Sequence, residues 1–303
     1  MIKNINEIIE NKKNYTFIGS GFVSNAYKIY YNNNNYLLLQ GLLKDSYECY
    51  LESYKNLKFL INNGNKLIKS VNFPSEEIEI IKPNGNFFKY GGLIYKYIDG
   101  IILKEKYFNK INTENIVNKI SEFLIEIYNI PLPNNINKNK IIEQYLNEFI
   151  NNINIIINYL EKENFIIDKL INLKNEYNEY IIHFNDFSYI HGDFWQENII
   201  ISENYQNLIG VIDFDDFKIG DIAKDFATLL DLGYDFINKI VNKCSCIIKN
   251  KIKFLERIKI QEKLIVVEDF SYIIKNLNND NKEKILEQIK ELEELNLIEK
   301  IKN

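Results

Sequence analysis

Short runs of alternating apolar and polar residues, separated by turn residues, occupy most of the first hundred positions of the chain. Such runs are typical of β-strands. They lie at residues 15–18, 25–31, 36–39, 77–81 and 93–98. Between the third and fourth runs, apolar residues recur at helical spacing from Tyr47 to Leu57. The pattern predicts a small β-sheet accompanied by one helix.

The hydrophobic period changes after residue 100 to that of long amphipathic helices. The clearest helical faces span residues 116–127 and 145–160. Two short β-type segments, 198–202 and 208–214, interrupt this pattern and are joined by a polar turn, which predicts a hairpin. The second part of the chain is therefore expected to be mainly helical.

Together these patterns predict an α+β fold with two lobes. Residues 1–99 would form a small lobe of sheet and helix, and residues 100–303 a mainly helical lobe. No linker rich in Gly, Ser or Pro separates the two parts, so we expect a short hinge at residues 96–100.

Composition and charge narrow the classes of function. The chain has 303 residues, of which 46% are hydrophobic and 26% charged, a balance that excludes wholesale disorder. Lys and Arg number 37 against 42 Asp and Glu, a net charge of −5 without any basic stripe, so we expect no nucleic-acid partner. This balance favours a small cationic ligand.

The cysteines and the lengths of the apolar stretches indicate in which cellular compartment the protein is expected. Cys49, Cys244 and Cys246 are odd in number, and their Cys-x-Cys pair, in a chain with only two histidines, does not indicate a four-ligand zinc site. A reducing cytoplasm is the simplest interpretation. The sequence has neither the apolar core of a signal peptide nor a membrane-spanning window, so we expect no membrane partner. We also expect a monomer.

The run from His191 to Asn198 carries the most specific chemistry. Asp193 and Asn198 lie at opposite ends of this His-Gly-Asp-x-x-x-x-Asn segment, and Asp213 follows fifteen residues later, beyond the hairpin. Phosphoryl transfer needs a carboxylate that orients and deprotonates the acceptor hydroxyl, and oxygen ligands that hold Mg²⁺ on the donor phosphates. We assign Asp193 to the first role and Asn198 with Asp213 to the second. The spacing matches the catalytic loop of protein kinases, with Gly192 where those have Arg.

With Ile-Asp-Phe-Asp-Asp at residues 212–216 and Gly-Asp-Ile-Ala-Lys-Asp at 220–225, the chain resembles the aminoglycoside phosphotransferase family of small-molecule kinases. The resemblance is specific over residues 190–232 and most like the 2″-type enzymes. It implies a protein-kinase-like fold that holds ATP or GTP, with Mg²⁺, between the lobes. It also implies that Asp221 supports the catalytic loop by accepting backbone N–H bonds.

The donor site would use the glycine-containing turn near the N-terminus and the hinge. Gly19, Ser20, Gly21 and Ser24 would lie over the phosphates, although Gly-x-Gly alone is more often a plain hairpin turn. The backbone of residues 96–98, from Lys96 to Ile98, would bind the purine edge, and a core strand explains the same residues equally well.

The sequence departs from the kinase pattern at the third strand. Where a lysine normally pairs the phosphates with a helix glutamate, the natural position is Gln40, and Glu52 is the candidate helix carboxylate. A neutral amide supplies no positive charge, so either Lys44 substitutes for the lysine or the site binds nucleotide weakly.

Acidic residues of the helical lobe would bind the acceptor. In the resembling family such side chains hold the ammonium groups of the drug, and the candidates are Asp231, Asp235, Glu268 and Asp269. Each of them could equally be a surface acid of an amphipathic helix. Two alternatives stay open: a kinase of a sugar, amino alcohol or other metabolite, and a nucleotide-binding pseudokinase.

Overall fold

The computed structural model describes residues 15–300 except for 22, 65–67, 76, 164, 183, 185 and 277–281. The chain divides into two compact units. The first runs to residue 131 and also takes in residues 188–251, and the second holds residues 132–187 and those from 252 onward. The lobe boundary expected between residues 99 and 100 is a different division, and it stays a prediction.

A five-stranded antiparallel sheet opens the first unit, in the order β1-β2-β3-β5-β4. Its strands are β1 (Tyr15–Ser20), β2 (Ser24–Tyr31), β3 (Asn34–Gly41), β4 (Glu79–Ile81) and β5 (Gly92–Lys96). The helix α1 (Ser46–Phe59) connects β3 to β4 by way of a short π-helical turn, Leu60–Gly64. The predicted sheet and its single helix are confirmed.

Later elements are mainly helical. They are β6 (Ile101–Ile102), α2 (Thr113–Tyr128), α3 (Lys138–Leu160), β7 (Phe165–Ile166), α4 (Asp168–Ile182), β8 (Phe187–Ile190), β9 (Ile199–Ile201), β10 (Leu208–Val211), β11 (Lys218–Asp221), α5 (Ala223–Ala227), α6 (Tyr234–Lys243), α7 (Lys251–Lys275), α8 (Lys282–Glu294) and β12 (Glu299–Lys300). The α+β class is therefore confirmed, with an N-terminal sheet and helix followed by a mainly helical part.

The predicted hairpin is β9 and β10, which pair antiparallel, with β6 on the other edge of β9. Four further short strands, β7, β8, β11 and β12, form two-stranded pairs that the periodicity does not predict. Each is only two to four residues long, too short for a period to be recognised.

The α2 helix is anchored by its apolar face. Its predicted inward residues are all buried: Ile116, Ile120, Phe123, Leu124 and Ile127. The side chain of Asn112 caps its N-terminus by accepting a hydrogen bond from the N–H of Asn115 over 3.2 Å.

Within the second unit, α3 buries Phe149, whose ring packs edge to face against the ring of Tyr177 of α4. In the described part of the chain, the helices fall short of the length and apolarity needed to cross a membrane.

The two faces of β3 have different roles. Successive side chains of a strand point to opposite faces, and Tyr36 and Leu38 belong to the buried cluster that also contains Ile29, Ile81, Phe88 and Ile94. Leu37 and Leu39 therefore lie on the other face, toward a cavity in the first unit.

Candidate active site

Asp193 and Asn198 occupy the loop between β8 and β9. Residues 196–198 form a 3-10 turn, closed by a bond from the N–H of Asn198 to the carbonyl of Trp195 over 3.0 Å. The Asn198 side-chain nitrogen then donates to the carbonyl oxygen of Asp193 over 2.9 Å and to its carboxylate over 3.0 Å. The two ends of the loop are thereby tied together.

His191 is fully buried beneath this loop. Its Nε2 lies 3.0 Å from the carbonyl oxygen of Ile212, and because a carbonyl only accepts, this nitrogen carries the proton. Burial lowers the pKa of His191 to about 4, so the ring is neutral at neutral pH. A structural role for the ring, joining the catalytic loop to the Asp213 segment, agrees with this geometry.

Asp225 supports the catalytic loop from α5. Its carboxylate accepts the N–H of His191 over 2.9 Å and the N–H of Gly192 over 2.8 Å, and also the hydroxyl of Tyr128 over 3.2 Å. Asp221 instead accepts the N–H of Ala223, over 2.9 Å, within the turn that begins α5. These loop bonds, which the resemblance assigned to Asp221, thus come from Asp225, one helical turn later.

Gly192 is required by close backbone approach. Its φ is +87°, and a Cβ at this position would lie 2.2 Å from the carbonyl oxygen of Asp216. A side chain therefore cannot fit without displacing the acidic segment that follows β10. This explains the glycine at the position where protein kinases have Arg.

The segment of residues 213–215 is held by α1 and by aromatic packing. Asp213 has a positive φ of +65°, an uncommon conformation for a non-glycine residue that persists only when its surroundings enforce it. The side-chain nitrogen of Asn56 donates to the carbonyl oxygens of Phe214 and Asp215, over 2.9 and 3.1 Å. The Phe214 ring is fully buried, 4.6 Å from the ring of His191.

A cavity of about 490 Å³ gathers most of the predicted site residues. Those that line it are Gly19, Ser20, Gly21, Ser24, Ile98, Asp193, Asn198 and Asp213. The glycine-containing turn and the catalytic loop thus face one space. In the predicted hinge, the backbone N–H of Tyr97 donates to the carbonyl oxygen of Asn35 over 2.9 Å. This N–H is therefore occupied by a hydrogen bond to a residue of β3.

Three predicted donor-site residues do not line this cavity. Gln40 points to the opposite face of β3, where its amide oxygen accepts from Asn25 and Tyr27 and its nitrogen donates to the carbonyl of Phe87. Glu52 is exposed on α1 and pairs with Lys55 over 2.9 Å, and the Lys96 side chain is exposed. From β3, Leu37 and Leu39 line the cavity and Gln40 does not. From α1, Ser53 and Leu57 line it and Glu52 does not.

The four acidic candidates for acceptor binding fall in different parts of the chain. Asp231 is exposed in the first unit and accepts a hydrogen bond from the side chain of Gln196, in the catalytic loop, over 3.0 Å. Asp235 is exposed in the first turn of α6. Glu268 and Asp269 lie on α7, in the second unit. Their joint role stays a prediction.

The cavity is electrostatically acidic. Burial, and then the charges of Asp213 and Asp216, raise the pKa of Asp193 to about 7. The protein around Asp213 also desolvates that carboxylate, and with the neighbouring Asp215 and Asp216 this raises the pKa of Asp213. Carboxylates that raise one another's pKa favour a bound cation, which would offset their repulsion.

The residues present fit a magnesium ion shared with a nucleotide. Because the nitrogen of Asn198 donates to Asp193, its amide oxygen is the atom that remains for a hard cation, and Asp213 lines the same cavity. Over the described residues, no group of three His, Cys, Asp or Glu side chains is arranged to hold a metal unaided. This suits Mg²⁺, which is usually bound by one or two carboxylates together with substrate phosphates.

Many residues that line the cavity were not assigned to the site from the sequence. Among them are Leu39, Ser53, Tyr95, Lys104, Trp195 and Asp215. Strand alternation from the buried Tyr36 would have assigned Leu39 to the cavity face. Lys104 is the one basic side chain among the described residues that line the cavity, and it lies 4.0 Å from Glu197.

A family model described as APH, phosphotransferase enzyme family, matches residues 84–239, slightly more than half of the chain. This region contains the catalytic loop, the β9–β10 hairpin and the support from Asp225. It does not include the glycine-containing turn or β3, where the departures from the kinase pattern lie.

Solved structures with the same fold cover almost the whole chain. The complex of APH(2″)-IIIa with GDP and kanamycin is 19% identical, with a TM-score of 0.68, and the match covers 93% of this chain and 92% of that one. The gentamicin complex of APH(2″)-IIa has the same identity and TM-score, with coverages of 96% and 97%. A type I macrolide 2′-phosphotransferase is 11% identical over 90% and 89% of the two chains, with a TM-score of 0.61. At these identities the likeness shows the fold alone, which is kinase-like.

A curated relative, autophagy-related protein 11 of Vanderwaltozyma polyspora, is 27% identical over 249 residues. That match covers 77% of this chain but only 18% of the yeast protein. The chain therefore spans under a fifth of that relative's length.

Proposed function

Since the chain belongs to the phosphotransferase enzyme family, we propose that it moves the γ-phosphate of ATP or GTP to a hydroxyl of a small cationic molecule, an aminoglycoside. The observation that carries this proposal is the placement of Asp193, Asn198 and Asp213 on one cavity, beneath the turn at Gly19–Gly21. Each of these side chains has a chemical role in phosphoryl transfer that its position allows.

In the proposed reaction, Asp193 accepts the proton of the acceptor hydroxyl as its oxygen bonds to the γ-phosphorus. The bond between that phosphorus and the bridging oxygen of the β-phosphate breaks, and the nucleoside diphosphate leaves with the bonding electrons. The proton then passes from Asp193 to solvent. The hydrogen bond from Asn198 holds the Asp193 carboxylate in place during this step.

Asn198 and Asp213 would hold Mg²⁺ on the donor phosphates, where the ion neutralises charge as the phosphoryl group transfers. The strained backbone at Asp213 is held by Asn56 and by the packing of Phe214, so its carboxylate is preorganised toward the cavity. Removal of divalent metal should therefore weaken nucleotide binding as well as stop turnover.

The cationic acceptor is supported by charge. The protein carries a net charge of −5, and Asp231, which Gln196 holds beside the catalytic loop, is exposed to receive an ammonium group. Structures with the same fold were solved with kanamycin and with gentamicin. We include Asp235, Glu268 and Asp269 in the proposal as the remaining acidic candidates.

A coupled nucleotide-turnover screen tests this function. We expect turnover with ATP or GTP in the presence of Mg²⁺ and an aminoglycoside, and none with sugars or with choline. Turnover with a sugar or choline alone would keep the kinase but replace the acceptor. No turnover with any acceptor, together with tight nucleotide binding, would replace the proposal with a nucleotide-binding module.

That binding module is the second candidate, and Leu39 is the observation that favours it. An apolar side chain faces the cavity where kinases place the phosphate-binding lysine. Without that positive charge, the transition state of phosphoryl transfer loses more stabilisation than the bound base and ribose do. A protein that binds nucleotide without transferring phosphate would therefore also explain Leu39 at this position.

A further inference from the structure

Both members of the lysine–glutamate pair of protein kinases are replaced in this chain. In those enzymes a β3 lysine contacts the phosphates and a glutamate of the following helix holds it. Here the cavity face of β3 carries Leu37 and Leu39, and that of α1 carries Ser53 and Leu57, both buried. None of them carries charge, so α1 must contact the nucleotide site in another way or not at all.

The α1 helix instead contacts the segment that follows Asp213. Ser53 is close enough to Asp215 for its hydroxyl to lower the pKa of that carboxyl, and both residues line the cavity. One turn later along the same face, Asn56 donates to two consecutive carbonyl oxygens, those of Phe214 and Asp215. Two hydrogen bonds from Asn56, with Ser53 beside them, therefore join α1 to the two residues directly after Asp213.

We propose that Asn56 and Ser53 are positioning residues, which hold Asp213 in its metal-binding conformation and take the place of the missing lysine–glutamate pair. This inference rests on the proposed nucleotide site. The physical reason is the positive φ of Asp213, which is costly for a non-glycine residue and needs enforcement from neighbouring contacts. Asn56 binds the carbonyl oxygens of Phe214 and Asp215, the two residues that follow Asp213. These bonds hold the backbone of Asp213 in its unfavourable conformation.

The arrangement shifts the task of phosphate binding to the divalent ion. With no cation on the cavity face of β3, a divalent ion held by Asn198 and Asp213 would supply positive charge opposite the phosphates, beside Lys104, the one basic side chain among the described residues that line the cavity. Nucleotide affinity in this chain should therefore depend on Mg²⁺ steeply, and the side chains that position Asp213 should change that dependence.

The test measures nucleotide affinity as a function of Mg²⁺ concentration for Asn56→Leu and Ser53→Ala. Leucine keeps the approximate volume of Asn56 and removes both donors. We expect about tenfold weaker nucleotide binding at a fixed subsaturating Mg²⁺ concentration for Asn56→Leu, and a smaller loss for Ser53→Ala. Binding without metal should be unchanged. The matched control is Asn63→Ala, because Asn63 donates only to the carbonyl of Phe59 on an exposed turn.

Thermal unfolding establishes that each variant is folded. If Asn56→Leu does not fold, the Mg²⁺ dependence of Ser53→Ala provides the test. An unchanged Mg²⁺ dependence in the folded variants would overturn the inference. Equal weakening with and without Mg²⁺ would also overturn it, because the helix would then act on the cavity as a whole. Failure of the native protein to bind any nucleotide would overturn the proposed function itself, a result distinct from the other two.

Discussion

The side-chain nitrogen of Asn198 donates to both the carbonyl oxygen and the carboxylate of Asp193, over 2.9 and 3.0 Å. One amide thus fixes the backbone and the side chain of the proposed base, while its own oxygen is directed elsewhere. This relationship couples the proposed acceptor-activating group to the proposed metal ligand. Because Asp213, the other proposed metal ligand, does not take part in this contact, substitutions of Asp193 and of Asp213 should affect turnover and metal-dependent nucleotide binding differently.

Asp193→Ala should abolish phosphoryl transfer and leave nucleotide binding largely intact. The substitution removes the group that orients and deprotonates the acceptor, and it spares Asp213. Turnover and nucleotide Kd measured on the same preparation check this. Unchanged turnover would remove Asp193 from the mechanism.

Asp213→Ala should remove the Mg²⁺-dependent part of nucleotide binding, because a carboxylate ligand of the ion is lost. Titration of nucleotide with and without metal measures that part directly. If the native protein and the variant bind nucleotide equally in Mg²⁺, the assignment of Asp213 is wrong.

The strand position of the missing cation is tested by a pair of neighbouring substitutions. Leu39→Lys places an ammonium on the cavity face and should strengthen nucleotide binding several-fold. Gln40→Lys removes the contacts with Asn25, Tyr27 and Phe87 on the other face, so it should lower the unfolding temperature without any gain in affinity. If Gln40→Lys instead strengthens nucleotide binding and Leu39→Lys does not, Gln40 is the β3 residue at the phosphate site.

Lys44 is exposed and does not line the cavity. Lys44→Ala should therefore leave the nucleotide Kd unchanged.

Gly192→Ala should destabilise the protein and eliminate turnover, because its Cβ would meet the carbonyl oxygen of Asp216 at 2.2 Å. Gly233→Ala is the matched control. Gly233 also has a positive φ, of +90°, but nothing lies within 4 Å of the added Cβ, so only the backbone strain remains. Thermal unfolding of the two variants separates the clash from the strain, and equal losses would contradict the argument from close approach.

The sequence predicted the large features of the fold because they depend on periodic burial. The sheet, α1, α2, α3 and the β9–β10 hairpin follow from apolar spacing, and the predicted face of α2 is the buried one. The cavity-facing residues depend on strand alternation in β3 and on helical phase in α1, and an offset of one residue led to Gln40 in place of Leu39 and to Glu52 in place of Ser53. Nothing local marked Asn56, because its partners Phe214 and Asp215 are more than 150 positions away.

Direct detection of phosphate transfer tests the central claim. The native protein and Asp193→Ala would be incubated with Mg²⁺, kanamycin and ATP or GTP labelled in the γ-phosphate, and the label in the acceptor would be measured. We expect label in kanamycin with the native protein, with at least one of the two nucleotides, and none with Asp193→Ala. Hydrolysis to free phosphate without labelled kanamycin, or equal labelling by both proteins, would contradict the account.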